Sequence, residues 1–169
     1  MKSIFVGLYY ILFSHLPSSF FPMGRSFNSM RIMCLRRFAK IGTGCKIQSG
    51  VYVGKGENIE IGNYCQVNEN VQLSNVRLGN YVMIAPGVTI LGRMHQHSDT
   101  TIPMVLQGEI DTAQTIIEDD VWIGTNAIIM PGLTIQKGCI IAAGAVVTKN
   151  CQSYGIYGGV PATLLKIRK

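Results

Sequence analysis

From Ile117 to Val147 a branched aliphatic residue returns at every sixth position: Ile117, Ile123, Ile129, Ile135, Ile141 and Val147. Neither common element gives that spacing. An amphipathic helix repeats its apolar residues at three and four, and a half-buried strand at two. Six residues suffice for one very short strand and one corner. Three such units close a triangle of about 18 residues. Successive triangles stack about 4.8 Å apart, each backbone hydrogen-bonded to the next. The expected fold is all-β, a parallel β-helix of hexapeptide repeats filled by the recurring aliphatics.

Two further positions keep the rhythm. Four residues after each aliphatic stand Val121, Ala127, Leu133, Cys139, Ala145 and Cys151, mostly small. The third place after each holds Asp120, Asn126, Gly132, Gly138, Gly144 and Asn150, residue types that tolerate a left-handed corner. Earlier runs read Ile41, Ile47, Val53, then Ile61, Val67, Leu73, then Leu78, Ile84, Ile90, with slips at 57–60 and near Arg77. About five coils fit between Ile41 and Gln152, enough for units that gain stability from their neighbours. The five cysteines match neither a zinc spacing nor a disulfide framework, and four fall at the small repeat position. They are expected to be buried apolar residues in a reducing compartment.

Residues 1–40 lack the rhythm and read as an N-terminal helical arm ahead of a β-helix domain over 41–169. The segment Ile4–Phe13 is apolar all round, but a bilayer-spanning helix takes about 20 residues. No small-x-small cleavage site follows it. It is expected to be a retained helix that packs on a partner or makes peripheral contact with a membrane. Farther on, Phe27, Met30, Cys34 and Phe38 share one helical stripe. The arm also carries the basicity: eight Lys and Arg precede the first carboxylate, Glu57, whereas 57–169 is slightly acidic. That balance suits lipid headgroups or a subunit-facing surface. No recognition motif accompanies it, so nucleic acid is not an expected partner.

The hexads stop between Leu91 and Thr115, in "LGRMHQHSDTTIPMVLQGEIDTAQT". A loop this long in so regular a design is usually functional, and it is expected to project from one corner. His95 and His97 lie near its start. Alternation along an extended segment would turn His95, His97 and Asp99 the same way. That spacing is a weak metal signal, and no metal site is expected.

The stretch "VWIGTNAIIMPGLTIQKGCIIAAGAVVTKN", with the ending "GGVPATLLKIRK", closely resembles the hexapeptide-repeat acyltransferases. The resemblance spans roughly 41–169 and is strongest over 84–103 and 117–165. In detail it is similar to the galactoside and maltose O-acetyltransferases and to the O-acetyltransferases of surface-polysaccharide synthesis. It implies a left-handed helix, acetyl-CoA as cosubstrate with no permanently bound cofactor, and a homotrimer with coenzyme A between neighbours. By that similarity His95, seven residues after Val88, is the general base, a role an imidazole fills near neutral pH. Thr125, after Trp122, Ile123 and Gly124, offers its main-chain amide to the thioester oxyanion. Trp122 and Gly124 stand beside the reacting centre, and Ala143, Gly144, Thr148 and Lys149 follow the pantetheine arm. The family's basic residue near the end is replaced by Thr163, which leaves Lys166 with Arg168 and Lys169 for the coenzyme A phosphates. Asn68, Asn70 and His97 are candidate contacts to the acceptor hydroxyls.

The resemblance implies an acetyl-CoA-dependent O-acetyltransferase acting on a sugar hydroxyl of a glycan, surface polysaccharide or lipid-linked precursor, in the cytoplasm at the inner face of the membrane. Two other readings share the scaffold. One is an N-acyltransferase on an amino sugar, and the other is a non-catalytic β-helical scaffold with no affinity for coenzyme A.

Overall fold

A computed structural model of the chain describes residues 2–169. From Lys40 onward the hexads wind into a triangular prism, a parallel β-helix with three sheets as its sides. The first sheet contains β1 (Lys40–Ile41), β3 (Ile59–Ile61), β6 (Val76–Leu78), β11 (Thr115–Ile117) and β14 (Thr134–Ile135). The second contains β2 (Lys46–Ile47), β4 (Gln66–Val67), β7 (Met83–Ile84), β12 (Trp122–Ile123), β15 (Ile140–Ile141) and β17 (Gly155–Gly158). The third contains β5 (Gln72–Leu73), β8 (Thr89–Ile90), β13 (Ile128–Ile129) and β16 (Val146–Val147). Within each sheet these strands pair in parallel, and β18 (Thr163–Ile167) joins β17 antiparallel. The register stacks like on like: Ile123 lies between Ile84 and Ile141, and Ile129 between Ile90 and Val147. All six are buried, and each such side chain contributes about 1.5–3 kcal/mol by leaving water.

Two details depart from the sequence reading. A sixth strand, β17, continues the second sheet past the last hexad, with Tyr157 in register with Ile141. The corners are also less uniform than the Gly/Asn/Asp pattern predicts. Tyr64, Tyr81 and Tyr154 adopt positive φ, whereas Asn150 does not. A bulky residue there costs about 1–2 kcal/mol. The tyrosines offset this by stacking along the corner: the Tyr64 and Tyr81 rings lie parallel at 5.4 Å. The Tyr64 and Tyr154 rings cover Gly44 and Gly138, where any Cβ would collide with them. Asn150 instead accepts the Thr134 amide through its side chain at 2.9 Å. All five cysteines are free and buried.

The arm closes the open end of the prism. The first coil has no coil beneath it, so its backbone groups need other partners. Helices α1 (Lys2–Ile11) and α2 (Gly24–Leu35) supply them. Tyr9 donates to the Val51 carbonyl at 2.7 Å, and Tyr10 donates to Gly54 while accepting the Val53 amide. Asn28 accepts the Ile47 amide and donates to Cys45. Arg31, fully buried, donates to the carbonyls of Ile47, Phe13, Leu16 and Pro17. Burial of that guanidinium lowers its pKa. On the expected stripe of α2, Cys34 and Phe38 are buried and Phe27 half-buried, but Met30 is exposed. Among the described residues no helix is long and apolar enough to cross a membrane.

Candidate functional site

The break in the hexads leaves the prism at the corner between the third and first sheets. It ends one residue earlier than the sequence suggested. Thr115 already belongs to β11, is buried, and takes the Gly132 amide on its hydroxyl at 3.0 Å. The break forms a hairpin, with β9 (Met94–His95) antiparallel to β10 (Glu109–Ile110) and Glu109 opposite His95. Its root is pinned by Thr112, whose hydroxyl donates to the Gly92 carbonyl at 2.6 Å, and by the Asn75 amide on the Thr112 carbonyl at 3.2 Å. Arg93 pairs with both oxygens of Glu109 at 3.0 Å. Nearer the tip, Gln107 bridges Asp99 and Ile102. His95 and His97 are both exposed and alternate with half-buried Met94 and Gln96.

Asp99 does not join them as a ligand. Its carboxylate accepts the Thr101 hydroxyl and amide, at 2.6 and 2.8 Å, and these bonds hold its pKa below the usual carboxylate value. Among the described residues no group of three His, Cys, Asp or Glu side chains stands close enough to hold a metal ion.

Thr125 occupies a different corner, between the second and third sheets. Gly124 before it must be glycine for space: a Cβ there would lie 2.6 Å from the Ala143 nitrogen. The Thr125 carbonyl accepts the Gly144 amide at 2.8 Å, while its own N–H makes no main-chain hydrogen bond. Thr125 is an exposed residue, and a donor for an incoming anion must likewise be reachable from solvent. Trp122 points outward from the second sheet, 48% exposed, in register with Met83 below and Ile140 above. It does not pack in the core. Ala143 and Gly144 sit one coil above Thr125 at the same corner, both exposed. Thr148 and Lys149 follow β16 at the far end of the third sheet, on the hairpin's side.

The expected site residues thus form two groups. Trp122, Gly124, Thr125, Ala143 and Gly144 lie at one corner; His95, His97, Thr148 and Lys149 lie at or beyond the next. The third sheet separates them. A side of five extended residue steps spans about 16 Å, so the root of the hairpin and the corner of Thr125 stand a full side apart. Asn68 and Asn70 are engaged by the prism itself. The Asn68 side chain donates to Ile84 at 2.9 Å, and Asn70 takes a positive-φ corner against Gly50. Lys166 is exposed on β18, whereas Arg168 is held by Asp120 and the Gly138 carbonyl.

A groove of about 660 Å³ escaped the sequence reading. It runs under the hairpin root, between Tyr10, Tyr52, Asn58, Asn75, Arg93 and Glu109. The signal for it was present as the two slips in the hexads. Extra residues at 54–58 and the shortened step from Leu73 to Leu78 move the coil edge and open the space.

Residues 58–92 and 114–149 match the "Bacterial transferase hexapeptide (six repeats)" family. Galactoside O-acetyltransferase from Escherichia coli (strain K12) is 32% identical over 133 residues, covering 76% of this chain and 64% of that enzyme. The chain spans less than two thirds of the length of the curated relatives it matches first. Among solved structures, a galactoside acetyltransferase in complex with coenzyme A aligns with a TM-score of 0.82 at 28% identity, over 98% of this chain and 80% of the other. A hexapeptide-repeat-containing acetyltransferase from Vibrio cholerae aligns with a TM-score of 0.82 at 25% identity, over 99% and 90%. By its repeats and by its fold, the chain is a hexapeptide-repeat β-helix, similar to the galactoside O-acetyltransferases.

Proposed function

We propose that the protein is an acetyl-CoA-dependent O-acetyltransferase acting on a sugar hydroxyl, assembled so that each site is shared between adjacent copies. The observation that carries this is the pair of separated half-sites. One corner offers the Thr125 amide without a main-chain partner beside exposed Trp122. The next corner carries the only long break in the hexads, with exposed His95 on its hairpin. Two prisms side by side join one group to the other, and a cyclic trimer closes that contact. The similar galactoside acetyltransferase complexed with coenzyme A supports acetyl-CoA as donor.

In this arrangement neutral His95 accepts the proton of the acceptor hydroxyl as its oxygen attacks the thioester carbonyl. The Thr125 amide stabilises the oxyanion, and the thiolate of coenzyme A leaves. Ala143, Gly144, Thr148 and Lys149 line the path of the pantetheine arm, and Lys166 meets its phosphates. The groove beneath the hairpin, with its amides, carboxylate and two tyrosines, holds the sugar, while His97 contacts it from above. The acceptor is a glycan, surface polysaccharide or lipid-linked precursor met at the cytoplasmic face of the membrane.

The test is calorimetric titration with acetyl-CoA, followed by mass analysis of a panel of neutral and amino sugars. Affinity for acetyl-CoA and an acetyl ester on a neutral sugar are expected, with His95→Ala abolishing transfer but not binding. Absence of affinity would mark a scaffold, and an amide product would mark an N-acyltransferase.

A further inference from the structure

We propose that the outer face of the end cap docks on an anionic lipid bilayer, lying in its interface rather than crossing it. Helix α1 is apolar on two sides. Phe5, Val6, Tyr9 and Tyr10 pack toward the prism. Ile4, Leu8, Ile11 and Leu12 face outward and are exposed, Ile11 to 81%. In the turn between the helices Phe20 and Phe21 stand together, rings 4.9 Å apart, with Phe20 73% exposed. Helix α2 adds Met30 and Met33, flanked by exposed Arg25, Arg36 and Arg37. Helix faces this apolar are ordinarily covered, and bare patches of this kind mark contact surfaces.

Charge identifies what covers this one. The exposed ionic groups of the first 56 residues are all cations: Lys2, Arg25, Arg36, Arg37, Lys46 and Lys55, with Lys40 paired to Glu60 at 2.6 Å. The one other basic side chain, Arg31, is buried and bonded to carbonyls. A second copy of the same face would set cations against cations. A bilayer with anionic headgroups neutralises them and accepts large apolar side chains just below the phosphates, as interfacial helices do. The cap lies beneath the first coil, whereas the hairpin and Thr125 belong to the third and fourth. Docking therefore leaves Thr125 open, about 15 Å of coil above the cap, and the sugar groove meets only the inner side of α1, through Val6 and Tyr10, not its outward residues.

The inference does not depend on the transferase reading, and one experiment separates the two. The full chain is sedimented with vesicles of phosphatidylcholine alone and of phosphatidylcholine with phosphatidylglycerol. Acetyl transfer from acetyl-CoA to a soluble sugar is followed in parallel. Binding is expected to the anionic vesicles, at least about tenfold stronger than to the neutral ones and reversed by high salt. Arg25→Gln with Arg37→Gln should weaken the partition about 25-fold, at about fivefold per cation. Ile11→Gln with Phe20→Gln should weaken it at least about tenfold. Both pairs should keep the wild-type melting temperature and transfer rate. Equal binding to both vesicle types, no binding to either, or an apolar pair that alters oligomer mass instead of partition would overturn the docking. A chain that docks but transfers nothing leaves the docking standing and removes the transferase reading.

Discussion

The shared-site arrangement can be tested by deleting one hydrogen atom. Thr125→Pro removes the amide proton assigned to the oxyanion. The fold has already tested proline at this corner: Pro86 occupies the equivalent place one coil below, set by the pairing of Ile84 with Ile123. Its carbonyl still accepts the Asn126 amide at 3.1 Å. Because the Thr125 N–H has no main-chain partner, no structural bond is lost, and stability should change by no more than about 1 kcal/mol. Catalysis should fall about 100- to 1,000-fold, the usual result of losing one oxyanion donor. His95→Ala should lose about 100-fold or more through the base. The decisive assay mixes the two inactive variants, unfolds them together and lets them reassemble. If each site takes its hairpin from one copy and its corner from the neighbour, half of the copies are sound for each part. About one quarter of the sites then recover. A mixture no more active than either parent would place the site within a single chain. A fully active Thr125→Pro would show that the amide is not the donor.

Three further perturbations follow from the packing. Gly124→Ala sets a methyl group 2.6 Å from the Ala143 nitrogen, a backbone atom that cannot swing away, and should cost about 1–3 kcal/mol in urea unfolding. Arg31→Met leaves the carbonyls of Ile47 and Leu16 without their donor. It should cost about 2–5 kcal/mol and raise amide exchange along the first coil. The Asp99 carboxyl is held below its ordinary pKa by the Thr101 hydroxyl and amide. The turn is therefore fully stabilised above about pH 4 and weakens as pH falls through the lowered value. The Thr101 amide resonance should move only in that acidic window and stay still in Asp99→Asn.

How much of this was legible in the sequence varies by region. The prism was, because a six-residue period has few other solutions and each aliphatic reports on its own burial. The hairpin was legible as a silence in that period, though Thr115 reads as loop while its hydroxyl in fact closes the coil on Gly132. The tyrosine corners were not, since left-handed tyrosines depend on stacking between residues 17 apart, Tyr64 on Tyr81. The arm's role as a cap was hidden for a similar reason. Its apolar pattern announces burial without naming a partner, and the bonds from Tyr9, Asn28 and Arg31 to the first coil span 16 to 42 positions. The amides of Asn68 and Asn70 suggested sugar recognition by residue type, whereas their neighbours in space are Ile84 and Gly50.

A regular prism cannot make a site by regularity alone. Its corners repeat from coil to coil, with Pro86 the one member of this column that lacks an N–H. The N–H of Glu69 and of Ala143, at the corner of Thr125, likewise makes no main-chain hydrogen bond. What distinguishes Thr125 from Glu69 and Ala143 must come from what faces it, because the N–H groups of all three lack a main-chain partner. Within one chain the root of the hairpin stands a full side of the prism away from it, across the third sheet. The irregular parts carry the individuality: a hairpin fixed at one height between the third and fourth coils, and two slips that open a groove below it. In the proposed assembly a neighbouring copy, held at the same height, selects one amide out of the column. The stiffness of the prism then has a chemical use. Under the proposed mechanism it would fix the heights of the chosen amide and of the imidazole to within the spacing of a strand, so that two separate chains meet around one thioester.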